Sequence, residues 1–169
     1  VAVDDKTRIL LSQVFRTDSV VYLTKRTKSD AITECVEHLV TTGKLRNTRA
    51  DKAAKIIIDR EKIGTTGIGE GIAVPHAELD FLNTFLGALG ISREGIQYNS
   101  LDGRPVNYIF LFLTPCERRT EHQAILKDIV TFARQGNWMR FLKNAGTAQE
   151  IHDLFREMEA ERAQVKVLK

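Results

Sequence analysis

A single α/β domain, with a mixed β-sheet sandwiched between helices, is the fold class this sequence predicts, and three observations carry that reading. Short β-branched or aromatic runs alternate along the chain with segments whose apolar residues recur at helical spacing. One of the runs, Val106 to Thr114, is apolar on both faces, as a central strand covered from both sides has to be. The chain has 169 residues, 43% of them hydrophobic, which suits one core, and it contains no internal repeat or Pro-rich linker. The expected layout is a flexible N-terminus over 1–9, one domain over 10–158 and a frayed C-terminal tail over 159–169.

Taken in order, Val20 to Leu23 reads as the first strand. Ser29-Asp30 then leads into Ala31, Ile32, Cys35, Val36, Leu39 and Val40, an amphipathic helix stopped by Thr41-Thr42-Gly43. Thr48 is expected to cap a second helix running through Ala50, Ala53, Ala54, Ile57 and Ile58 to about Arg60, with Asp51 favourable to its N-terminal dipole. A short strand over Gly71 to Val74, a strand over Thr84 to Ile91 and the apolar strand Val106 to Thr114 follow. After Pro115 the helical period returns with Ala124, Ile125, Ile129, Val130 and Phe132, then in a short piece over Trp138 to Leu142. Thr147 caps a last helix carrying Ile151, Leu154, Phe155 and Met158.

Composition excludes several functions. The net charge of +3, with both signs interleaved, gives no reason to expect nucleic acid. No apolar stretch approaches the roughly 20 residues of a bilayer span, and the first residues lack the apolar stretch of a signal peptide, so membrane insertion is not expected. Cys35 and Cys116 are isolated, which argues against a disulfide framework or structural zinc site and points to the cytoplasm. No metal and no cofactor are expected, since no HExxH occurs and neither His76 nor His122 has a second His or Cys within four residues. A histidine-metal hydrolase is the distant alternative. His38 and His152, flanked by acids, read as surface histidines.

Chemistry concentrates between Gly64 and His76. Gly64, Gly67, Gly69 and Gly71 make a backbone that bends sharply. The segment lacks the Gly-Lys-Ser/Thr of an ATP-binding loop, and Ile72 stands where a dinucleotide fingerprint needs glycine. Pro75 stiffens the approach to His76, which is expected at a strand-to-loop junction where an imidazole can act as nucleophile, base or ligand. His122, at a helix start just after a strand end, can meet it at one edge of the sheet.

The run Arg60-Glu61-Lys62-Ile63-Gly64-Thr65-Thr66-Gly67-Ile68-Gly69-Glu70-Gly71-Ile72-Ala73-Val74-Pro75-His76-Ala77 closely resembles the active-site signature of the EIIA domains of the bacterial phosphoenolpyruvate-dependent phosphotransferase system, in the fructose, mannitol and nitrogen-regulatory class. Ser100 to Val106 resembles the turn into that family's central strand, and Glu121-His122 matches its second histidine. Gln123 and the charged lead Cys116-Glu117-Arg118-Arg119 depart from the family's pattern. The resemblance covers about Leu10 to Glu157 and implies a mixed sheet between helices.

It further implies a phosphocarrier. His76 would accept a phosphoryl group from a phosphorylated HPr-type protein, with Arg60 and His122 attending it. Use like that of the nitrogen-regulatory members is favoured, with a regulatory target protein as recipient; the alternative is a sugar-transport relay to an EIIB domain. The residue types fit, because phosphoryl transfer asks for an aligned nucleophile and for donors around the equatorial oxygens. Arg60 offers a planar fork of donors, and Thr65, Thr66, Gly67 and Gly69 are expected to form the phosphoryl-binding loop. The partner surface is expected around Ile68, Glu70, Ile72 and Leu79.

Overall fold

The structure, a computed structural model, describes residues 8–167; the expected flexible stretch over 1–7 and the end of the expected tail, 168–169, lie outside the described residues. In chain order the elements are α1 (Leu11–Val14), β1 (Val20–Tyr22), α2 (Lys28–Thr41), α3 (Asn47–Ile63), β2 (Gly67–Gly69), β3 (Ile72–Ala73), β4 (His76–Leu79), β5 (Leu86–Ile96), β6 (Val106–Pro115), α4 (Arg119–Arg134), α5 (Gly136–Asn144) and α6 (Ala148–Val167). They form one mixed sheet in the order β1-β5-β6-β3-β2, with β4 also paired to β6. β6 is antiparallel to β5 and parallel to β3 and β4, and β1 runs parallel to β5.

The alternation of β6 divides the core. Ile109, Leu111 and Leu113 face α2 and α3, packing with Ile32, Leu39 and Ile57. Tyr108, Phe110 and Phe112 face the other layer, with Phe15, Ile129, Phe132 and Phe155 from α4, α6 and the N-terminal segment. Both faces of β6 are therefore buried, and the sandwich expected from its apolar run is the one observed.

Several local expectations are corrected. α2 is capped two residues earlier than Ser29, by the Thr27 hydroxyl accepting from the Asp30 N–H at 3.2 Å. Thr48 does not cap α3; the helix already includes Asn47, has no side-chain cap, and runs three residues beyond Arg60. Thr147 does cap α6, accepting from the Glu150 N–H at 3.2 Å. The segment over 159–167 is not a frayed tail but the last turns of α6, held because Glu159 accepts from the Ser12 N–H and hydroxyl and Arg162 pairs with Asp128. Arg8, expected in the flexible stretch, also pairs with Asp128, at 2.5 Å. His38 and His152 are partly exposed, each ring with Nε2 on a backbone carbonyl, of Asp18 and Ser12.

Candidate functional site

The site forms where the strand pairing along one side of β6 is interrupted and resumes. β3 ends at Ala73, Val74 and Pro75 break the ladder, and β4 begins with His76. Proline has no N–H for a ladder bond, while its carbonyl still accepts from the Phe112 N–H at 3.1 Å, so the chain stays against β6. His76 thus opens a strand instead of standing at a strand-to-loop junction. Opposite it in register is Phe112, and the two rings stack at 5.4 Å and 17°.

His122 arrives from the first turn of α4, its ring 5.1 Å from that of His76 and 4.9 Å from that of Phe112. Only 5% exposed, it meets the Thr114 hydroxyl through Nδ1 at 2.7 Å. The structure therefore brings together the two histidines that sequence spacing could only suggest. His76 Nδ1 lies 2.7 Å from the Val74 carbonyl oxygen, an acceptor, so Nδ1 carries the proton and Nε2 keeps its lone pair.

Electrostatics hold both rings neutral. Burial lowers the His76 pKa below the ordinary histidine value; its hydrogen bond to Val74 opposes this, the Arg60 charge adds to it, and Glu61 and Glu78 oppose it. His122 is lowered further, to about 4, by burial first, then by the repulsion two protonated rings would feel beside His76 and by the Arg119 charge, against Glu78. Arg60 is exposed and donates through Nη1 to the Gly64 carbonyl at 3.0 Å, so its guanidinium is held by a single backbone acceptor.

The expected phosphoryl-binding loop takes a different form. Gly67 to Gly69 form strand β2, joined to β3 by a hairpin turn in which Gly69, Glu70 and Gly71 all have positive φ (96°, 57° and 78°). The donors expected to cradle phosphate are engaged within the protein. The Thr66 hydroxyl pairs with Glu61, Thr65 donates to the Tyr98 carbonyl at 3.2 Å, the Gly67 N–H reaches the Thr65 hydroxyl at 3.1 Å, and the Glu70 N–H reaches Asp102 at 3.0 Å.

The expected partner surface is likewise corrected. Ile72 and Leu79 are 0% and 2% exposed, in the two core layers on opposite faces of the sheet, because strand alternation turns both side chains inward. Ile68 is half-buried against the second layer, and Glu70 alone of the four is exposed. The exposed apolar side chains on this part of the chain are Ile63 and Leu101, the latter beside Gly67 through its N–H to the Gly67 carbonyl.

Sequence reasoning missed Thr114, Glu78 and Glu61. Thr114 was signalled only as the one polar residue ending an apolar strand. Glu61 is buried, paired to Lys28 at 3.3 Å and accepting the Thr66 N–H at 3.2 Å, with Lys28 also 4.5 Å from the Tyr98 ring centroid. Cys35 is buried with its thiol pKa pushed up by burial, and Cys116 is exposed. Among the described residues no group of three or more His, Cys, Asp or Glu side chains is placed to hold a metal ion, and no helix is long and apolar enough to cross a membrane. Clefts of about 460 Å³ beside β1 and β5 and about 430 Å³ beside α1 and α6 include neither histidine.

Residues 13–158 match the family described as "Phosphoenolpyruvate-dependent sugar phosphotransferase system, EIIA 2". A fructose-specific EIIABC component of the phosphotransferase system from Bacillus subtilis is 33% identical over 130 residues, 77% of this chain and 20% of that protein. A nitrogen regulatory protein from Bradyrhizobium diazoefficiens is 32% identical over 100 residues, 59% of this chain and 65% of that one. The chain thus spans less than two thirds of the length of either relative. The fold resembles that solved in the complex of enzyme IIAMTL with phosphorylated enzyme IIBMTL from Escherichia coli, with a TM-score of 0.69 at 18% identity over 84% of this chain and 96% of that one.

Proposed function

This chain belongs to the EIIA 2 family of the phosphoenolpyruvate-dependent sugar phosphotransferase system, and on that premise we propose that it is a cytoplasmic phosphocarrier. His76 accepts a phosphoryl group from the phosphohistidine of an HPr-type protein and later passes it on. The observation that carries the reading is the Nδ1 contact to the Val74 carbonyl, which directs Nε2 to be the nucleophile. As the P–N bond on His76 Nε2 forms, the donor's P–N bond breaks and its electron pair returns to the donor imidazole. The proton stays on Nδ1 throughout, hydrogen-bonded to the Val74 carbonyl. A neutral imidazole at pH 7 suits this, and burial favours that form.

Arg60, exposed at the end of α3, supplies positive charge toward the phosphoryl oxygens, and His122, with Nδ1 committed to Thr114, has Nε2 left for them. Regulatory use like that of the nitrogen-regulatory relative, with a state-dependent target protein, is the favoured reading. The second reading, a relay to an EIIB domain, is favoured by the mannitol complex and by the fructose-specific relative.

The test is incubation with a phosphorylated HPr-type protein. His76 should be the one residue stably labelled, at Nε2, with the acid lability and alkali stability of a phosphoramidate. Full phosphate incorporation in His76→Ala would overturn the assignment. A pull-down comparing wild type with His76→Asp then separates the two uses: a non-transporter partner retained by one form alone supports regulation, and an EIIB domain as sole state-dependent partner supports relay.

A further inference from the structure

Two charged residues outside the signature stand at the rim of the histidine pair. Strand alternation in β4 puts Glu78 on the same face as His76, with Ala77 and Leu79 turned to the opposite core layer. Their Cα atoms are about 7 Å apart by strand geometry. In register, Glu78 lies opposite Thr114, the residue whose hydroxyl holds His122. Arg119, the first residue of α4, stands three residues before His122 and reaches Glu78 Oε1 through Nε at 3.4 Å. Its side chain is 74% exposed and that of Glu78 26%. The carboxylate is thus fixed close to the site, and the guanidinium is loosely tethered to it.

Loading His76 changes the balance at this rim. A phosphoryl group adds about −1.5 to −2 charges on the face that already holds the Glu78 carboxylate. Glu78, anchored on a strand, cannot withdraw far, whereas Arg119 can turn about its long side chain. An exposed ion pair with a 3.4 Å contact gives up little when broken, and a charge-assisted bidentate contact to phosphoryl oxygens is shorter and stronger.

We propose that Arg119 is a second phosphoryl-binding arginine, held by Glu78 while His76 is free and transferred to the phosphoryl oxygens when His76 is loaded. The inference rests on His76 being the phosphoryl acceptor. Glu78 then has two effects of one sign: it competes with the phosphoryl group for Arg119 and repels the group itself. Arg119 and Glu78 consequently act in opposite directions on loading, which a purely structural ion pair does not.

Potassium phosphoramidate is a suitable probe, since its P–N bond breaks as the bond to His76 Nε2 forms and the electron pair leaves on ammonia. Loading rate and phosphohistidine lifetime are followed by phosphorus NMR in wild type, Arg119→Ala, Arg119→Lys and Glu78→Gln, with His76→Ala as the control for other sites. Arg119→Ala should load about 10-fold or more slowly, Arg119→Lys should recover part of the loss, and Glu78→Gln should load faster than wild type. The Arg119 Nε–Hε resonance in nitrogen-labelled protein should shift on loading. An unmoved resonance with wild-type loading in Arg119→Ala, or changes of the same direction in Arg119→Ala and Glu78→Gln, overturns the proposal alone. Failure of wild-type His76 to load overturns the carrier reading and this one with it.

Discussion

Protonation of His122 should destabilise this protein in mild acid, and the size of the effect follows from its surroundings. The ring is 5% exposed, packed against Phe112 and His76, with Thr114 on one nitrogen. Its pKa falls from 6.5 to about 4 in the folded protein. A depressed histidine pKa means the unfolded chain binds the proton more readily, so stability is full above about pH 6.5 and drains away as pH falls toward 4. The shift of about 2.5 units corresponds to about 3 kcal/mol below pH 4, and to about 2 kcal/mol near pH 5.

His76 pulls in the same direction, so the clean measurement is a difference. Urea unfolding of wild type and His122→Asn, at pH 7.5 and about pH 5, should show wild type losing about 2 kcal/mol more than the variant between the two conditions. Asparagine keeps a polar group near Thr114 and carries no titrating charge. Histidine ring resonances followed by NMR give the pKa directly. A His122 that titrates at or above 6.5, or equal pH sensitivity in the two proteins, refutes the burial argument. Loading His76 with phosphate should raise the His122 pKa, because an anion then stands beside that ring.

Three further outcomes are expected. Arg60→Ala should leave urea stability unchanged, since the side chain is exposed and bonded only to the Gly64 carbonyl, while slowing phosphoryl transfer by on the order of 10²-fold; equal rates at matched folded fraction would make Arg60 a bystander. Gly67→Ala should cost about 1–3 kcal/mol and disturb the hairpin, because its Cβ would stand 2.5 Å from Ser100 Oγ and 2.9 Å from Ser100 Cα, and unchanged unfolding would contradict that crowding. Ile72→Ala should lose about 2–5 kcal/mol in urea unfolding with Glu70→Ala near neutral, the reverse of what a solvent-facing Ile72 would give.

What could be read in the sequence were the features whose signal is local or long. β6 announces itself because burial on both faces leaves no polar period, and α2 and α4 because their apolar stripes run for several turns. The features missed are short or depend on partners far along the chain. α1 has four residues and no room for a period. β4 is four residues whose pairing exists only because β6 lies beside it, and β2 and β3 need three consecutive positive-φ residues, one of them Glu70. The end of α6 carries charges that look solvated in sequence, yet Glu159 bonds to Ser12 and Arg162 pairs with Asp128, far away in the chain. In the site, His76 stands out in sequence through the run that ends on it, but Glu78 and Thr114 join it through strand register, which no window of sequence contains.

Glu61 shows how a buried residue beside the candidate site can fix its geometry. A buried carboxylate at the C-terminal end of a helix is unfavourable twice, through lost hydration and through the dipole, and an apolar residue could fill the space. It is tolerated here because its oxygens are fully occupied: Lys28 of α2 pairs with it, and the Thr66 N–H and hydroxyl both reach it, with Tyr98 beside Thr66. Those partners come from α2, from the entry to β2 and from the segment before β6, so the carboxylate ties the last turn of α3 to the hairpin that leads to His76. Arg60 is the residue immediately before it. Its backbone is therefore fixed relative to His76 while its guanidinium is held by a single carbonyl, and under the proposed carrier role this joins a rigid origin to a charge that can follow a phosphoryl group.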